Sequence, residues 1–111
     1  MAVELNHKAI AFARKLIQKG NVDTSDTWEV HQPTHETENE FLADHSYEEY
    51  GNWFLGINAD ADPETKERYE FPYGNFITVC HAGLVAAEQR AGQYHHQEIK
   101  NAARELIDMI D

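Results

Sequence analysis

Two stripes of apolar and small side chains near the C-terminus constrain this chain more than any other feature. Phe76, Cys80, Leu84, Ala87 and Ala91 recur at three- and four-residue spacing, and after a short link so do Ile99, Ala103, Leu106 and Ile110. A period near 3.6 puts each set along one side of an α-helix. The spacing predicts helices over about 76–91 and 96–110, with Gly92 ending the first. Joined by so short a link, they cover one another's stripes as an antiparallel hairpin. Ala82, Gly83 and Ala86 are small enough for another backbone to close on the first helix. Arg104 and Asp108, one turn apart, are placed to pair.

A third amphipathic helix is predicted over 5–19. Leu5, Ala9, Phe12 and Leu16 form its stripe, widened by Ala13 and Ile17. Lys15 and Lys19 complement the negative end of its dipole, and Gly20 suits the position just past its end. Residues 21–45 have no strong period. Trp28 and Val30 suggest a short extended piece, and the polar run around Pro33 is expected to be a loop with room for mobility. Ser46 and Glu49 then make a capping-box pattern. Tyr47, Tyr50, Trp53 or Phe54, and Ile57 keep helical spacing, although the aromatic run from Asn52 to Ile57 would also suit a strand. Asp62, Pro63 and Glu64 read as the start of a further helical turn.

The most unusual stretch is "KERYEFPYGNF", residues 66–76, with four rings around a proline and a glycine. Pro72 and Gly74 suit a turn, flanked by Tyr69–Phe71 and Phe76–Val79 as a small hairpin, or followed by Asn75 as a helix cap. If the stretch is extended, alternation sets Tyr69, Phe71 and Tyr73 on one side. Rings of this size are expected to fill the core over the helical hairpin, together with Trp53 or Phe54. A second use is open to Trp53, Tyr69, Phe71 and Tyr73: a partner-binding surface with hydroxyls at its rim.

Charge narrows the partners. The chain of 111 residues carries a formal net charge of −11. No Lys or Arg lies between Lys19 and Lys66, whereas twelve acids do. Such a field repels phosphate backbones, so nucleic acid is disfavoured and a basic protein partner or self-association is favoured. The acids also keep a small protein in solution. Cys80 stands alone, so no internal disulfide is expected, and it reads as a buried, inert thiol. No apolar run approaches ~20 residues. A cytoplasmic protein without a membrane segment is the expectation.

The series Trp53-Phe54-Leu55-Gly56, Pro63-Glu64-Thr65-Lys66 and Tyr69-Glu70-Phe71-Pro72-Tyr73-Gly74 resembles the signature of a family of small phage- and prophage-associated proteins. The likeness extends to residues 86–91 and the last helix, touches Glu4-Leu5-Asn6-His7, and covers about half of the chain. It implies a prophage-like origin and an accessory role in virion assembly. It carries over no catalytic residue.

Histidine offers the sharpest alternative chemistry. His31 and His35 are four apart, as ligands on one helix would be, and His45 would complete a three-nitrogen site if the loop folded back. Pro33 between the first two argues against a continuous helix. His95 and His96 point in different directions on a helix. Asn58, Asp60 and Asp62 alternate like the opening of a calcium loop, but the required glycine and closing glutamate are missing from both registers. Ser25, Ser46 and Cys80 lie in no nucleophile motif, and Cys80 and His81, adjacent in sequence, diverge.

Together these features predict one small acidic domain over 1–111, with its polar segment at about 21–45. The fold class is α+β, predominantly helical: an N-terminal helix, a C-terminal antiparallel helical pair and a small aromatic hairpin or turn. Oily side chains from both ends, Phe71, Leu84 and Leu106 among them, should share one dry interior. The expected function is non-enzymatic protein interaction with no cofactor. The alternative is a metal-binding or metal-dependent hydrolytic protein using His31, His35 and His45.

Overall fold

A computed structural model describes residues 3–25 and 27–111, with the side chain of His31 outside the description. The architecture is α+β and mostly helical. The chain order is β1 (Val3–Leu5), α1 (His7–Gln18), β2 (Val22–Asp23), α2 (Trp28–His31), α3 (His35–Asp44) and α4 (Tyr47–Gly51). Then come β3 (Phe54–Asn58), a 3-10 turn (Lys66–Arg68), β4 (Tyr69–Pro72), β5 (Val79–Cys80), α5 (His81–Gln93) and α6 (Gln97–Ile110). β3 is the central strand of an antiparallel sheet, with β1 on one side and β4 on the other. Leu5 faces Gly56 across the first pair, and Ile57 faces Tyr69 across the second. β2 and β5 form a separate parallel pair.

The helical stripes do what their period requires. α6 buries Ile99, Ala102, Ala103, Leu106 and Ile107, and α5 buries Leu84, Ala87 and Ala91. α6 packs along α5 and also meets α1, which turns Ala9, Ile10 and Ala13 inward. Phe71, Leu84 and Leu106 share one interior with Tyr50, Trp53, Phe54 and Leu55 from the middle of the chain. Arg104 pairs with Asp108 at 3.0 Å and reaches Glu88 of α5 at 3.6 Å.

Helix ends depart from expectation in instructive ways. α1 starts at His7, two residues inside the predicted span, with Asn6 as its N-cap. The Asn6 side chain is buried, accepts from the Ala9 N–H at 3.4 Å, and donates to the carbonyls of Gly51 at 2.9 Å and Phe54 at 3.0 Å. One amide therefore caps α1 and fastens it to the joint between α4 and β3. α1 closes as expected at Gly20, whose φ is +80°. Asn21 N–H bonds to Leu16 C=O at 2.9 Å and Gly20 N–H to Ile17 C=O at 3.0 Å, a Schellman closure. Gly92 does not end α5. The same closure lies further on, where His95 takes the left-handed place at φ +63°. There His96 N–H reaches Ala91 C=O at 2.8 Å and His95 N–H reaches Gly92 C=O at 3.3 Å. The start of α5 is also later than predicted: Phe76 lies outside it, and Cys80 holds its N-cap position.

The segment 21–45 is not a loop. It supplies β2, α2 and α3, and Trp28 and Val30 are helical rather than extended. Pro33 separates two helices. The residue before it, Gln32, is extended at ψ 127°, as a pre-proline residue prefers, and the residue after it caps α3. Thr34 Oγ1 accepts from the Thr37 N–H at 3.2 Å. α3 buries no side chain. It is held from the side: Lys66 bonds to Asn39 at 2.7 Å and lies 3.5 Å from Glu38, while Phe41 stacks on Phe76 with centroids 4.7 Å apart.

At Ser46 the capping box is present, and helix and strand both occur in the run after it, in succession. The helix ends at Gly51 and the strand begins at Phe54. The expected hairpin within 69–79 does not form. β4 pairs with β3, whereas Val79 and Cys80 pair with Val22 and Asp23, leaving only a single bridge between Gly74 and Val79. Asn75 caps a turn rather than a helix, its Oδ1 accepting from the N–H groups of Ile77 at 3.0 Å and Thr78 at 2.7 Å.

Candidate binding cleft

The aromatic stretch 66–76 organises the site by going inward. Phe71 has φ +64° and Phe76 has φ +67°, so strict alternation breaks and the rings diverge. Tyr69 packs edge-on to Tyr50, and Phe71 meets His96 at the start of α6. Tyr73 stacks on Trp53 and donates its hydroxyl to the Asn52 carbonyl at 2.7 Å. Trp53, Phe71 and Tyr73 are buried and Tyr69 is half-buried. The expectation that these four form a partner-facing surface is corrected for Trp53 and Tyr73, which the driving force of ring burial has put in the core; Phe71 is buried as well but lines the cleft described next. Burial holds the Tyr73 and Tyr50 hydroxyls above the ordinary tyrosine range, and the negative charge of Glu38 adds to the second.

What the inward rings leave behind is a cleft of about 590 Å³ between β4, α5 and the short helix α2. Its β4 wall is Glu70, Phe71 and Pro72. Its α5 wall is Ala86, Gln89, Arg90 and Gln93, residues three and four apart and so on one face. Trp28 and Gln32 close the third side. α2 can lie there because Gly83 has no side chain. A Cβ at Gly83 would come within 2.6 Å of both the Trp28 ring and the Tyr73 carbonyl oxygen. The cleft thus has an aromatic and apolar base, three primary amides, one carboxylate and one guanidinium. The guanidinium of Arg90 lies over the Tyr94 ring, 5.7 Å from its centre. Such groups can donate to, accept from and pair with a polar ligand.

The histidines are dispersed. His35 and His45 stand at opposite ends of the ten-residue α3, about 15 Å apart by helical rise, too far to share an ion. His35 Nδ1 lies 3.5 Å from Glu38, and His45 Nδ1–H donates to the Phe41 carbonyl at 3.0 Å while its ring stacks on Phe41. The third member of the predicted set, the His31 side chain, lies outside the described residues. Among the described residues no three His, Cys, Asp or Glu side chains gather as a metal site. Cys80 is buried, and His81 turns away from it to Asp111, 3.2 Å distant. In the Asn58–Asp62 stretch, Asn58 and Asp62 accept from backbone N–H groups two residues on.

Sequence reasoning misses Glu70, Gln89, Arg90, Gln93 and Gln32 as a group. The helical spacing of Ala86, Gln89, Arg90 and Gln93 is a usable signal: a polar face next to the buried stripe. Nothing local marks Gln32, which reaches the cleft only because α2 docks on α5. Among the described residues no helix is long and apolar enough to cross a membrane. No family model matches the chain, and no curated protein or solved structure matches it.

Proposed function

We propose that this is a non-enzymatic interaction protein that holds another polypeptide in the α2–α5–β4 cleft. The observation that carries this reading is the lining: amide side chains of Gln32, Gln89 and Gln93 above the apolar base of Phe71, Pro72 and Ala86. Amides offer a donor and an acceptor to a peptide backbone, and the base offers a seat for a side chain. The signature in residues 53–74 supports an accessory role among phage- and prophage-associated proteins, acting in the cytoplasm.

The test is site-specific photocrosslinking. A photoreactive side chain placed at Gln89 should form a polypeptide adduct in cell extract, suppressed by the double variant Gln32→Ala/Gln93→Ala, whereas the same group at exposed Glu105 should not. Light scattering on the purified chain reports whether the captured polypeptide is a second copy. Equal adducts at both positions, or none at Gln89, would remove the support for the cleft as the docking site.

A further inference from the structure

Given a cleft that holds a polypeptide, its spacing and charge specify which kind. Gln89 and Gln93 are four residues apart on α5, a rise of about 6 Å. An extended chain repeats every second residue at about 6.6 Å. The two amides therefore match alternate peptide groups of a strand laid along α5, and Gln32 faces it from the other wall. A ligand of side-chain size would use one amide. A cleft of 590 Å³ has room for several residues.

Charge selects the side chain. Glu70 is half-buried on β4, and among the described residues it has no ion-pair partner. The cation on the facing wall, Arg90, lies over the Tyr94 ring and makes no ion pair with Glu70, so the carboxylate is left for a ligand's charge. α2 belongs to the stretch between Lys19 and Lys66 that carries twelve acids and no Lys or Arg. A carboxylate facing the cleft, in a protein of net charge −11, attracts a cation and repels an anion.

We infer that the cleft takes an extended polypeptide segment bearing a lysine or arginine, its cation against Glu70 and its main chain read by Gln89, Gln93 and Gln32. The experiment uses the full chain with labelled, N-acetylated and C-amidated hexapeptide pools. Each pool has one position fixed as Lys, Glu, Leu or Ser. Binding is read by fluorescence polarisation and by NMR shifts of the glutamine side-chain amides. The Lys pool is expected to bind about tenfold tighter than the Glu pool at low salt, the scale of one charge contact. Glu70→Gln should abolish that preference, and Glu70→Lys should invert it. The double variant Gln89→Ala/Gln93→Ala should weaken every pool. Circular dichroism confirms that each variant is folded.

Outcomes separate the two levels. A Glu pool that binds as well as the Lys pool, on the same amides, overturns the basic-segment assignment and leaves the polypeptide cleft standing. Pools that shift none of the three amides overturn both. So would free nucleosides that shift those amides while peptides do not, because a stacked base would then be the cleft's ligand.

Discussion

α3 and α6 are both regular helices, of 10 and 14 residues, yet α6 buries five side chains and α3 buries none. α6 is held because a continuous apolar stripe leaves water. α3 is held by a threonine cap, a lysine reaching across from the β4 side, and a ring stacked at its edge. Burial makes a helix part of the global fold, whereas caps and edge contacts make it locally separable. The difference also shapes the cleft. α5, packed along α6, presents one wall, and the segment containing α2 lays another against it.

The largest test of this contrast is alkaline unfolding. Tyr50 lies under α3 and Tyr73 in the shared core, and burial raises both hydroxyls above the ordinary value, with Glu38 adding to the first. The unfolded chain begins to release these protons near pH 10 while the folded chain keeps them. Stability is therefore intact below about pH 10 and falls above it, by about 1.4 kcal/mol per pH unit for each tyrosine. Tyrosinate absorbance from both rings should rise together with the loss of near-UV circular dichroism. Release of either proton from the folded protein near pH 10 would contradict the burial.

Core truncation should separate the helices next. Leu106→Ala is expected to cost about 2–5 kcal/mol in urea unfolding, as for a fully buried leucine. Leu42→Ala, half-buried on α3, should cost about 1 kcal/mol. Equal losses would erase the distinction between the two helices.

Gly83→Ala sharpens the contrast where the regions touch. The new methyl meets a backbone carbonyl that cannot yield as well as the Trp28 ring. We expect about 1–3 kcal/mol of destabilisation and a shift in Trp28 fluorescence as α2 lifts from α5. Asn6→Ala should cost a similar amount, about 1–3 kcal/mol, because two buried carbonyls lose their donor.

The smallest effects lie at the helix ends. Gly20→Ala has open space around it, so its cost of about 1 kcal/mol would be backbone strain alone. His95→Gly should stabilise by a fraction of that, because the left-handed position would no longer carry a side chain. Thr34→Ala should cost about 1 kcal/mol, with hydrogen exchange accelerated in α3 and unchanged in α6.

Legibility divides along the same line. The C-terminal pair, the N-terminal helix and the capping box at Ser46 are readable because each is encoded by contiguous spacing. α3 escapes because its caps and side contacts produce no apolar period, and Pro33 resembles the middle of a loop when it is the boundary between helices. The composition of the aromatic turn suggests a hairpin, but Phe71 and Phe76 break the alternation, and β4 finds its partner in β3. Half of the cleft, the polar face of α5, is present in the spacing. The other half needs α2 to dock over Gly83.

By itself the sequence determined the α+β class, the stripes that become α1, α5 and α6, the inward preference of the rings, and the net negative charge. These depend on side-chain type and near-neighbour spacing, which the chain carries everywhere. Only the tertiary structure decided which strand pairs with β4, where Asn6 anchors, how far apart the histidines of α3 fall, and that three glutamines from two sides face one groove. Those are contacts between residues distant in sequence, fixed by the joint packing of the whole interior rather than by any segment's own preference.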